Sequence, residues 1–426
     1  MPTASISNAR SEKTCWVSFL LVVMLLGGSL RAVFKYLPAP TFVSLGMFCG
    51  GWWGYALLIS RAKNSSLSRL FLFRKPRLLC ACLILAIAAA SYVIYPLADA
   101  RRNLGAGSTA DDAIIQASQT FCSSGSMYSA TLPGGIPISP GPGWVLLNLP
   151  LANSQWYWLI SPGYIVLALL VFSKLSASAR QSAFVLCLLS SSLLFWELLT
   201  TGSDLVAVGF ALAALTVATW KLSQNPTPGL AGPIAVGVLA GMVATSRVVF
   251  AAFPLLLALF AWKSSRKASL LVAGLGVLTV AGLHAYFFCS SDNYQPFHLF
   301  GRGRSNVGYD FIALGLVAEV LAVTYAYRHT NRRGAEWLCG VWLCLFVPLF
   351  LISIGELRAV SWNFARWEGA NYLFPCIPAY LFYVATTVFE PQNSNSIRSS
   401  PKRVLGKIAR ATSSPMGSSA VESGLR

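Results

Sequence analysis

The chain has 426 residues, of which 55% are hydrophobic and 11% are charged, and its mean hydropathy is +0.62. These values lie outside the range of soluble globular domains and exclude an ordinary soluble enzyme. The formal net charge of +18 would suggest nucleic acid as a partner of a soluble protein, but in so apolar a chain it indicates membrane topology, and we expect no nucleic-acid partner.

Apolar stretches of about 18–22 residues recur along the chain, each long enough to cross the hydrocarbon core of a bilayer as a helix. We therefore predict an all-α, polytopic transmembrane protein with about twelve spans. The predicted spans are 15–34, 41–60, 78–98, 155–173, 181–199, 204–221, 230–245, 247–262, 269–289, 310–327, 335–354 and 371–388.

The first apolar run follows Arg10 and Lys13, as the core of a cleaved signal peptide would. No small-residue cleavage site is evident, and Arg31 and Lys35 follow at once, which favours a retained first span over a signal peptide. The domains predicted are a cytoplasmic segment at 1–14, a transmembrane domain at 15–388 and a basic, disordered tail at 389–426.

With the amino terminus inside, most of the 32 Lys and Arg residues fall on the cytoplasmic side of the predicted spans. This asymmetry predicts a multi-pass protein of the cell (inner) membrane with both termini in the cytoplasm, in contact with the lipid bilayer. Most acidic residues fall instead in outer loops or at outer helix ends, and the first large outer loop spans 99–153.

That outer loop carries two adjacent carboxylates, Asp111 and Asp112, in a chain with only 14 acidic residues. Thr109 and Asp112 have the spacing of a capping box and predict the start of a helix. The following stretch LPGGIPISPGPGW is rich in Gly and Pro and predicts rigid turns with little regular structure. The loop is thus expected to be structured.

Four segments together resemble the GT-C superfamily of integral-membrane glycosyltransferases, especially the bacterial transferases that use polyprenyl-phosphate-linked mannose or other hexoses. The segments cover about a quarter of the chain, and their order and their side of the membrane match the family. They read ADDAIIQASQTFCSSGSMYSATLPGGIPISPGPGWVLLNLP, ELLTTGSDLVAVGFALAALTVA, GVLAGMVATSRVVFAAFPLLLALF and ARWEGANYLFPCIPAYL. The family's acidic residue is often isolated or in an Asp-Glu pair, whereas this chain has Asp-Asp.

The resemblance implies a GT-C-like fold and attack by an acceptor hydroxyl on the anomeric carbon of a lipid-phosphate-linked sugar, outside the cytoplasm. The acceptor could be a lipid, a glycan or a protein. A hydroxyl is a poor nucleophile near neutral pH, so a carboxylate must take its proton, and Asp111 and Asp112 are the candidate bases. The alternative interpretation is that the pair caps a helix. A cap by Asp112 would leave Asp111 as the base.

The leaving lipid phosphate calls for cations at the outer face. The candidates are Arg247 first, then Arg366, and then Arg302 and Arg304 beside Gly residues. The competing interpretation of each is an interfacial Arg whose head reaches the lipid headgroups. Further candidates for substrate contacts are Tyr128, Trp144, Asp204 and Glu368, although aromatic residues at span ends commonly form the interfacial belt.

Other kinds of site receive less support. The ten cysteines lie mostly inside spans; Cys122 and Cys289 could pair on the outer side. The three histidines are scattered, so no metal site is predicted, and no cofactor is required, although a divalent cation could assist. Glu197 is a further suspect if it lies within the membrane, where ionisable residues commonly have a function; the alternative is that it reaches the interface.

Two other functions compete with glycosyl transfer. A multi-span transporter or flippase of a lipid-linked or small polar substrate fits the span count, but no repeat relates the two halves of the sequence. The other alternative is a non-enzymatic assembly partner, but this function would give no role to Asp111, Asp112 and Arg247.

Overall fold

The computed structural model describes residues 24–25, 27–36, 75–101, 108–133, 135–153, 155–175, 178–225, 229–291, 293–296, 305–329 and 335–389. Within these ranges the chain is helical, and the only β pairing is an isolated antiparallel bridge between Leu132 and Ile136. The predicted all-α class is therefore confirmed for the described part. The tail, the predicted span 41–60, and Arg302 and Arg304 lie outside it.

We number the helices in chain order. They are α1 (helical at 24–25 and 27–36), α2 (Pro76–Ala100), α3 (Ala110–Ser124), α4 (Pro142–Ala152), α5 (Ile160–Leu175), α6 (Ala179–Ser190), α7 (Leu193–Thr200), α8 (Leu205–Gln224), α9 (Ala231–Ala244), α10 (Phe253–Trp262), α11 (Arg266–Ser290), α12 (Tyr309–His329), α13 (Glu336–Ala359) and α14 (Ile377–Val388). Short 3-10 helices cover Tyr157–Leu159, Val248–Phe250, Phe364–Arg366 and Glu368–Cys376.

Six of the described helices are long and apolar enough to cross a membrane, and a seventh span results if the bent pair α6 and α7 counts as one. This supports a protein with several membrane-spanning helices. The six are Pro76–Ala100, Tyr157–Leu175, Leu205–Gln224, Arg266–Ser290, Tyr309–Arg328 and Glu336–Ala359.

The predicted count of about twelve spans is not confirmed, because several apolar runs are interrupted or short. The run predicted at 181–199 bends by 81° between α6 and α7. The runs predicted at 230–245 and 247–262 form helices of only 10–17 residues, less than the roughly 20 residues that a span needs. The run predicted at 371–388 begins as a 3-10 helix containing Pro375, and its α-helical part has 12 residues.

Helix α8 forms the centre of the described helical body. It packs against α5, α9 and α14 and is buried along almost its whole length, which explains why its sequence is apolar without a helical period. Gly209 lets α8 approach the 3-10 helix, since a Cβ there would lie 2.8 Å from Cα of Pro375. Helices α11 and α12 keep an apolar face exposed, as expected where lipid is the solvent.

One end of the bundle collects the chemically versatile side chains, and we call it the site end. It contains the last turn of α2, the helix α3, and the turns at 200–204 and 245–248. Hydrogen bonds between these segments hold them together, for example from Tyr157 to the carbonyl oxygen of Gly202 at 3.0 Å. The charge pattern predicts that this end faces outward.

The segment predicted as a structured loop is packed at this end. A buried apolar cluster joins Ala113 and Ala117 of α3 to Tyr128, Ile138 and further residues; the others are Met127, Leu132, Val145, Phe287 and Tyr294. The Gly/Pro-rich stretch forms turns, and Gly135 has a φ of +73°. The helix start predicted near Thr109 is confirmed at Ala110, but the capping box is wrong. The Thr109 side chain makes no cap hydrogen bond, and Ser108 Oγ accepts from the Ala110 amide at 3.1 Å instead.

Candidate functional site

Asp111 lies in the first turn of α3 and is buried, with 1% of its surface exposed. The hydroxyl of Tyr95, in the last turns of α2, donates a hydrogen bond of 2.9 Å to its Oδ2. The backbone of Gly202 passes close by, because a Cβ on Gly202 would lie 3.0 Å from the same oxygen. The carboxylate is therefore oriented by one phenol and enclosed by a turn of backbone.

Asp204 and Arg247 form a buried ion pair next to this carboxylate. Arg247 Nη2 donates to Asp204 Oδ1 at 2.6 Å, and Trp144 Nε1 donates to Asp204 Oδ2 at 2.8 Å. Arg247 Nη1 also donates to the carbonyl oxygen of Ser246 at 2.6 Å. Both oxygens of Asp204 accept a hydrogen bond, so Asp204 orients the guanidinium and is poorly suited to take a proton.

Tyr157 connects the two carboxylates. Its hydroxyl binds Gly202 between them, and it lies close enough to Asp111, Asp204 and Arg247 to interact with their charges. We call Tyr95, Asp111, Tyr157, Asp204 and Arg247 the Asp111 cluster. The structure thus brings together three candidates that the sequence placed in separate segments, with Trp144 as a fourth beside them.

The guanidinium of Arg247 remains charged in this environment. Burial opposes its charge, but Asp204 and Tyr372 offset that effect, so the pKa of Arg247 is raised above its ordinary value. A buried charge of this kind is stable only when it is paired and hydrogen-bonded. The interpretation of Arg247 as a surface residue whose head reaches lipid headgroups is wrong, because only 5% of the residue is exposed.

Asp112 lies on the more accessible side of α3, and Asp99 faces it from the end of α2. Carboxylate oxygens of Asp99, Asp111 and Asp112 lie within 4.8 Å of one another. Oxygen ligands of this type suit Mg²⁺, Ca²⁺ or Mn²⁺, so these three residues could hold a divalent cation. The sequence offered no spacing that predicted this grouping, since α2 and α3 are separate elements.

The sequence favoured Asp111 over Asp112 as the base because a capping box would occupy Asp112. The structure has no such capping box, so this reason no longer applies. Another reason replaces it: Asp111 is the buried member of the pair and the one that contacts Tyr95 and the Gly202 turn. Asp112 is only partly buried. The two carboxylates therefore differ in environment, which is the condition for different chemical roles.

An apolar groove opens beside the Arg247 turn. Its volume is about 380 Å³, and it lies between the Gly/Pro-rich stretch, the end of α9 and the end of α11. Thr245 and Val248 line it on either side of Arg247 in the sequence, and Phe288, which is 62% exposed, lines its open side. Its polar groups are few and include His284, whose Nδ1 is hydrogen-bonded to the Tyr294 hydroxyl at 2.5 Å.

Three other candidates lie apart from the Asp111 cluster. Tyr128 is buried in the loop core and donates a hydrogen bond of 2.8 Å to the carbonyl oxygen of Pro140; burial raises its pKa. It is therefore a packing residue in this structure and not a surface for a sugar ring. Arg366 and Glu368 are exposed on the segment that follows α13.

That segment includes an unusual backbone conformation. Ser361 and Trp362 both have positive φ values, 56° and 60°, which non-glycine residues rarely adopt. Trp362 N donates to the carbonyl oxygen of Leu357, so the turn closes the end of α13, and the indole of Trp362 remains 57% exposed. Strained residues of this type often occur at functional sites.

Sequence reasoning missed Tyr95, Tyr157, Gly202 and Tyr372, which complete the surroundings of Asp111 and Arg247. The three tyrosines lie near the ends of predicted spans, where an aromatic belt is the ordinary interpretation, and nothing in the sequence distinguishes them from it. Gly202 carried a usable signal, because it stands between two helices in the turn TTGSD. The disulfide considered between Cys122 and Cys289 is absent, and both thiols are free and exposed.

No protein-family model matches the chain, and no curated protein or solved structure matches it either.

Proposed function

We propose that the protein is a membrane glycosyltransferase of the GT-C type, which moves a sugar from a polyprenyl-phosphate donor to an acceptor hydroxyl on the extracytoplasmic face of the cell membrane. The observation that carries this proposal is that a buried carboxylate, Asp111, and a buried guanidinium, Arg247, both lie close to Tyr157, with an apolar groove beside the Arg247 turn. Acid–base chemistry, a phosphate counter-charge and a hydrocarbon chain are the three requirements of such a reaction.

Asp111 is the general base of the proposed reaction. As the acceptor oxygen bonds to the anomeric carbon, its proton passes to the Asp111 carboxylate, and the bond from that carbon to the phosphate oxygen breaks. Tyr95 orients the carboxylate through its hydrogen bond to Oδ2. Because Asp111 is buried, water is kept away from the base until a substrate displaces the surrounding side chains.

Arg247 supplies positive charge to the leaving polyprenyl phosphate, with Arg366 and, outside the described residues, Arg302 and Arg304 as further cations. Asp204 holds the guanidinium and is itself held by the indole N–H of Trp144, so the direction of Arg247 is set before a substrate binds. Asp99, Asp112 and one oxygen of Asp111 would hold a divalent cation if the reaction uses one, and such a cation would add charge stabilisation at the phosphate. The other oxygen of Asp111 would then take the proton.

The apolar groove beside Arg247 takes the first isoprene units of the donor. Phe288, an exposed residue of α11, is among the residues that line the groove, and in the proposed complex the chain enters past it from the bilayer. Thr245 and Val248, which flank Arg247 in the sequence, both line the groove, and in the proposed complex the phosphate end of the chain lies at this turn. The exposed indole of Trp362 and the carboxylate of Glu368 are candidates for contacts with the sugar or the acceptor.

The experiment that tests this function is transfer in vitro from a panel of polyprenyl-phosphate sugars to acceptors in a membrane extract. The wild type is compared with Asp111→Asn and Asp112→Asn at equal amounts of purified protein. Transfer from at least one donor, lost in one of the two variants, supports the proposal. No transfer from any donor by the wild type would contradict it.

A transporter or flippase is the second candidate, and one observation favours it. Helices α6 and α7 form a membrane-length apolar segment broken by 81°, a feature of many transporters. Proteoliposomes that move a lipid-linked sugar across the bilayer without transferring it would support this candidate over the enzyme.

A further inference from the structure

A second buried ion pair lies near the Asp111 cluster, between Arg31 of α1 and Glu197 of α7. Arg31 Nη1 lies 2.5 Å from Glu197 Oε1, and the side chains are 12% and 3% exposed. The ammonium of Lys35, one turn further along α1, lies 3.5 Å from the same carboxylate oxygen. Neither Arg31 nor Glu197 belongs to the Asp111 cluster, and the proposed reaction does not use them.

Hydrogen bonds to backbone carbonyl oxygens connect Glu197 and its neighbour to the turn that lies in the site. Thr201 donates from both its amide and its hydroxyl to the carbonyl oxygen of Glu197, at 3.0 and 2.8 Å. The Ser203 amide donates to the carbonyl oxygen of Leu198 at 2.9 Å. The turn that presents Gly202 to Asp111 is therefore built on the last turn of α7, whose carboxylate Arg31 holds.

The 3-10 helix Glu368–Cys376 contacts both ion pairs through consecutive residues. Asn371 Oδ1 accepts a hydrogen bond of 3.5 Å from Arg31, and Tyr372 lies close enough to Arg247 to affect its charge. Two paths thus join the two ion pairs, one through the turn at 201–204 and one through Asn371 and Tyr372.

We propose that the Arg31–Glu197 ion pair is a positioning element that holds the turn at 201–204, and with it Gly202 and Asp204, in the geometry that the Asp111 cluster requires. Its kinetic consequences rest on the proposed function; its structural consequences do not. Helix α1, which contributes no residue to the Asp111 cluster, then acts on the site through Glu197.

The physical basis is the cost of an unpaired buried charge. Removing one partner of a buried pair leaves the other charge uncompensated, and the surrounding backbone shifts to reach water or another partner. Here the backbone that is bonded directly to the carbonyl oxygen of Glu197 is the turn at 201–204. Substitutions at independent sites more than about 7–10 Å apart normally have additive effects. Coupling between the two ion pairs is therefore a specific expectation.

The test compares four variants of the full-length protein. Glu197→Gln leaves Arg31 without its carboxylate, Arg31→Lys keeps the charge, and Lys35→Gln removes only the more distant cation. Asp310→Asn is the matched control, because Asp310 and Arg358 form an ion pair of 2.7 Å with side chains that are 56% and 48% exposed. Kinetics of sugar transfer and thermal unfolding midpoints in detergent are measured for each.

We expect Glu197→Gln to lower kcat by about tenfold or more, which corresponds to about 1.4 kcal/mol of activation free energy, while KM for the donor changes little. Arg31→Lys should recover most of kcat, and Lys35→Gln and Asp310→Asn should stay near the wild type. A kcat for Glu197→Gln equal to that of Asp310→Asn would overturn the proposal. So would a loss confined to KM.

A double-mutant cycle between Glu197→Gln and Asp204→Asn, read by thermal unfolding, keeps this test separate from the proposed function. The shift caused by Glu197→Gln should be smaller when Asp204 is already Asn, since the turn is then released from its other side. Additive shifts would overturn the positioning role. A wild type without transfer activity but with coupled shifts would contradict only the proposed function.

Discussion

Gly202 and Asp111 lie in direct opposition at the site end: a Cβ on Gly202 would be 3.0 Å from Oδ2 of Asp111 and 2.4 Å from the ring of Tyr95. The φ of Gly202 is +77°, a conformation that side chains rarely adopt. The turn can therefore press its backbone against the carboxylate only because it carries no side chain there. This close approach makes Gly202 a sensitive position for testing the site.

Gly202→Ala should abolish most of the transfer activity, because its methyl group displaces Tyr95 or Asp111. The matched control is Gly125→Ala: Gly125 has nearly the same φ, +76°, and open space where the methyl group would go. Both substitutions cost about 1–2 kcal/mol of backbone strain. A difference in kcat between the two variants at similar unfolding midpoints then measures the contact. Equal kcat values for Gly202→Ala and Gly125→Ala would show that the close approach of Gly202 to Asp111 does not contribute to catalysis.

Asp111→Asn should lower kcat by about 10²–10⁴-fold while Asp112→Asn retains most activity, since general-base assistance contributes that factor. Asn preserves an oxygen that can accept from Tyr95, so the packing should survive. Initial rates at saturating donor and acceptor, with unfolding midpoints for each variant, are the measurement. Near-wild-type rates for both variants would remove the pair from catalysis and leave Glu368 as the next carboxylate to test.

Arg247→Ala should destabilise the protein by about 3–5 kcal/mol, because it leaves Asp204 buried without its counter-charge. A double change, Arg247→Met with Asp204→Leu, removes both charges and should recover most of that stability.

Neither variant should use the donor well if Arg247 holds the phosphate. Arg247→Lys keeps the charge without the planar fork and should retain part of the activity. Chemical unfolding and donor titrations measure the two effects separately. Full donor use by the stable double variant would exclude a role in phosphate binding.

Filling the apolar groove should weaken long-chain donors selectively. Ala281→Phe places a ring in the groove on α11, whereas Leu278→Phe adds one on the lipid-exposed face of the same helix, outside the groove. Loss of about two buried methylene groups, at about 0.8 kcal/mol each, predicts a rise of about tenfold in KM for a long-chain donor. The KM for a donor analogue that carries a methyl group in place of the isoprene chain should rise less, because it does not reach into the groove. An equal rise for both donors would place the chain elsewhere.

The predicted topology can be tested with the native thiol at position 122, which is exposed on α3. A variant that retains only Cys122 should react with a membrane-impermeant maleimide in intact cells. A cysteine-free variant with Lys267→Cys, at the opposite end of α11, should react only after permeabilisation. The reverse pattern would place the Asp111 cluster on the cytoplasmic side and contradict the proposed donor.

The class of this protein follows from its sequence because hydrophobic length and charge asymmetry are local properties. Membrane-length helices appear at 78–98, 204–221, 269–289 and 335–354 as predicted, with boundaries differing by a few residues. The number of spans does not follow in the same way. Whether an apolar run such as 181–199 forms one straight helix depends on its neighbours, and here Ser192 caps a new helix in the middle of the run.

The sequence also identified Asp111, Asp204, Trp144 and Arg247 as candidate site residues, from the acidic pair in the outer loop, the charge of Arg247 between two apolar spans and the family resemblance. Their roles depended on contacts that no local pattern contains. Arg247 lies 43 residues from the carboxylate that holds it, and Trp144 lies 60 residues from the same carboxylate. Only in the tertiary structure do both oxygens of Asp204 accept hydrogen bonds, and only there does Asp111 lie in contact with Tyr95 and close to Gly202. The chemical type of a side chain makes it a candidate for a functional site, but its hydrogen-bond partners determine whether it is available to react.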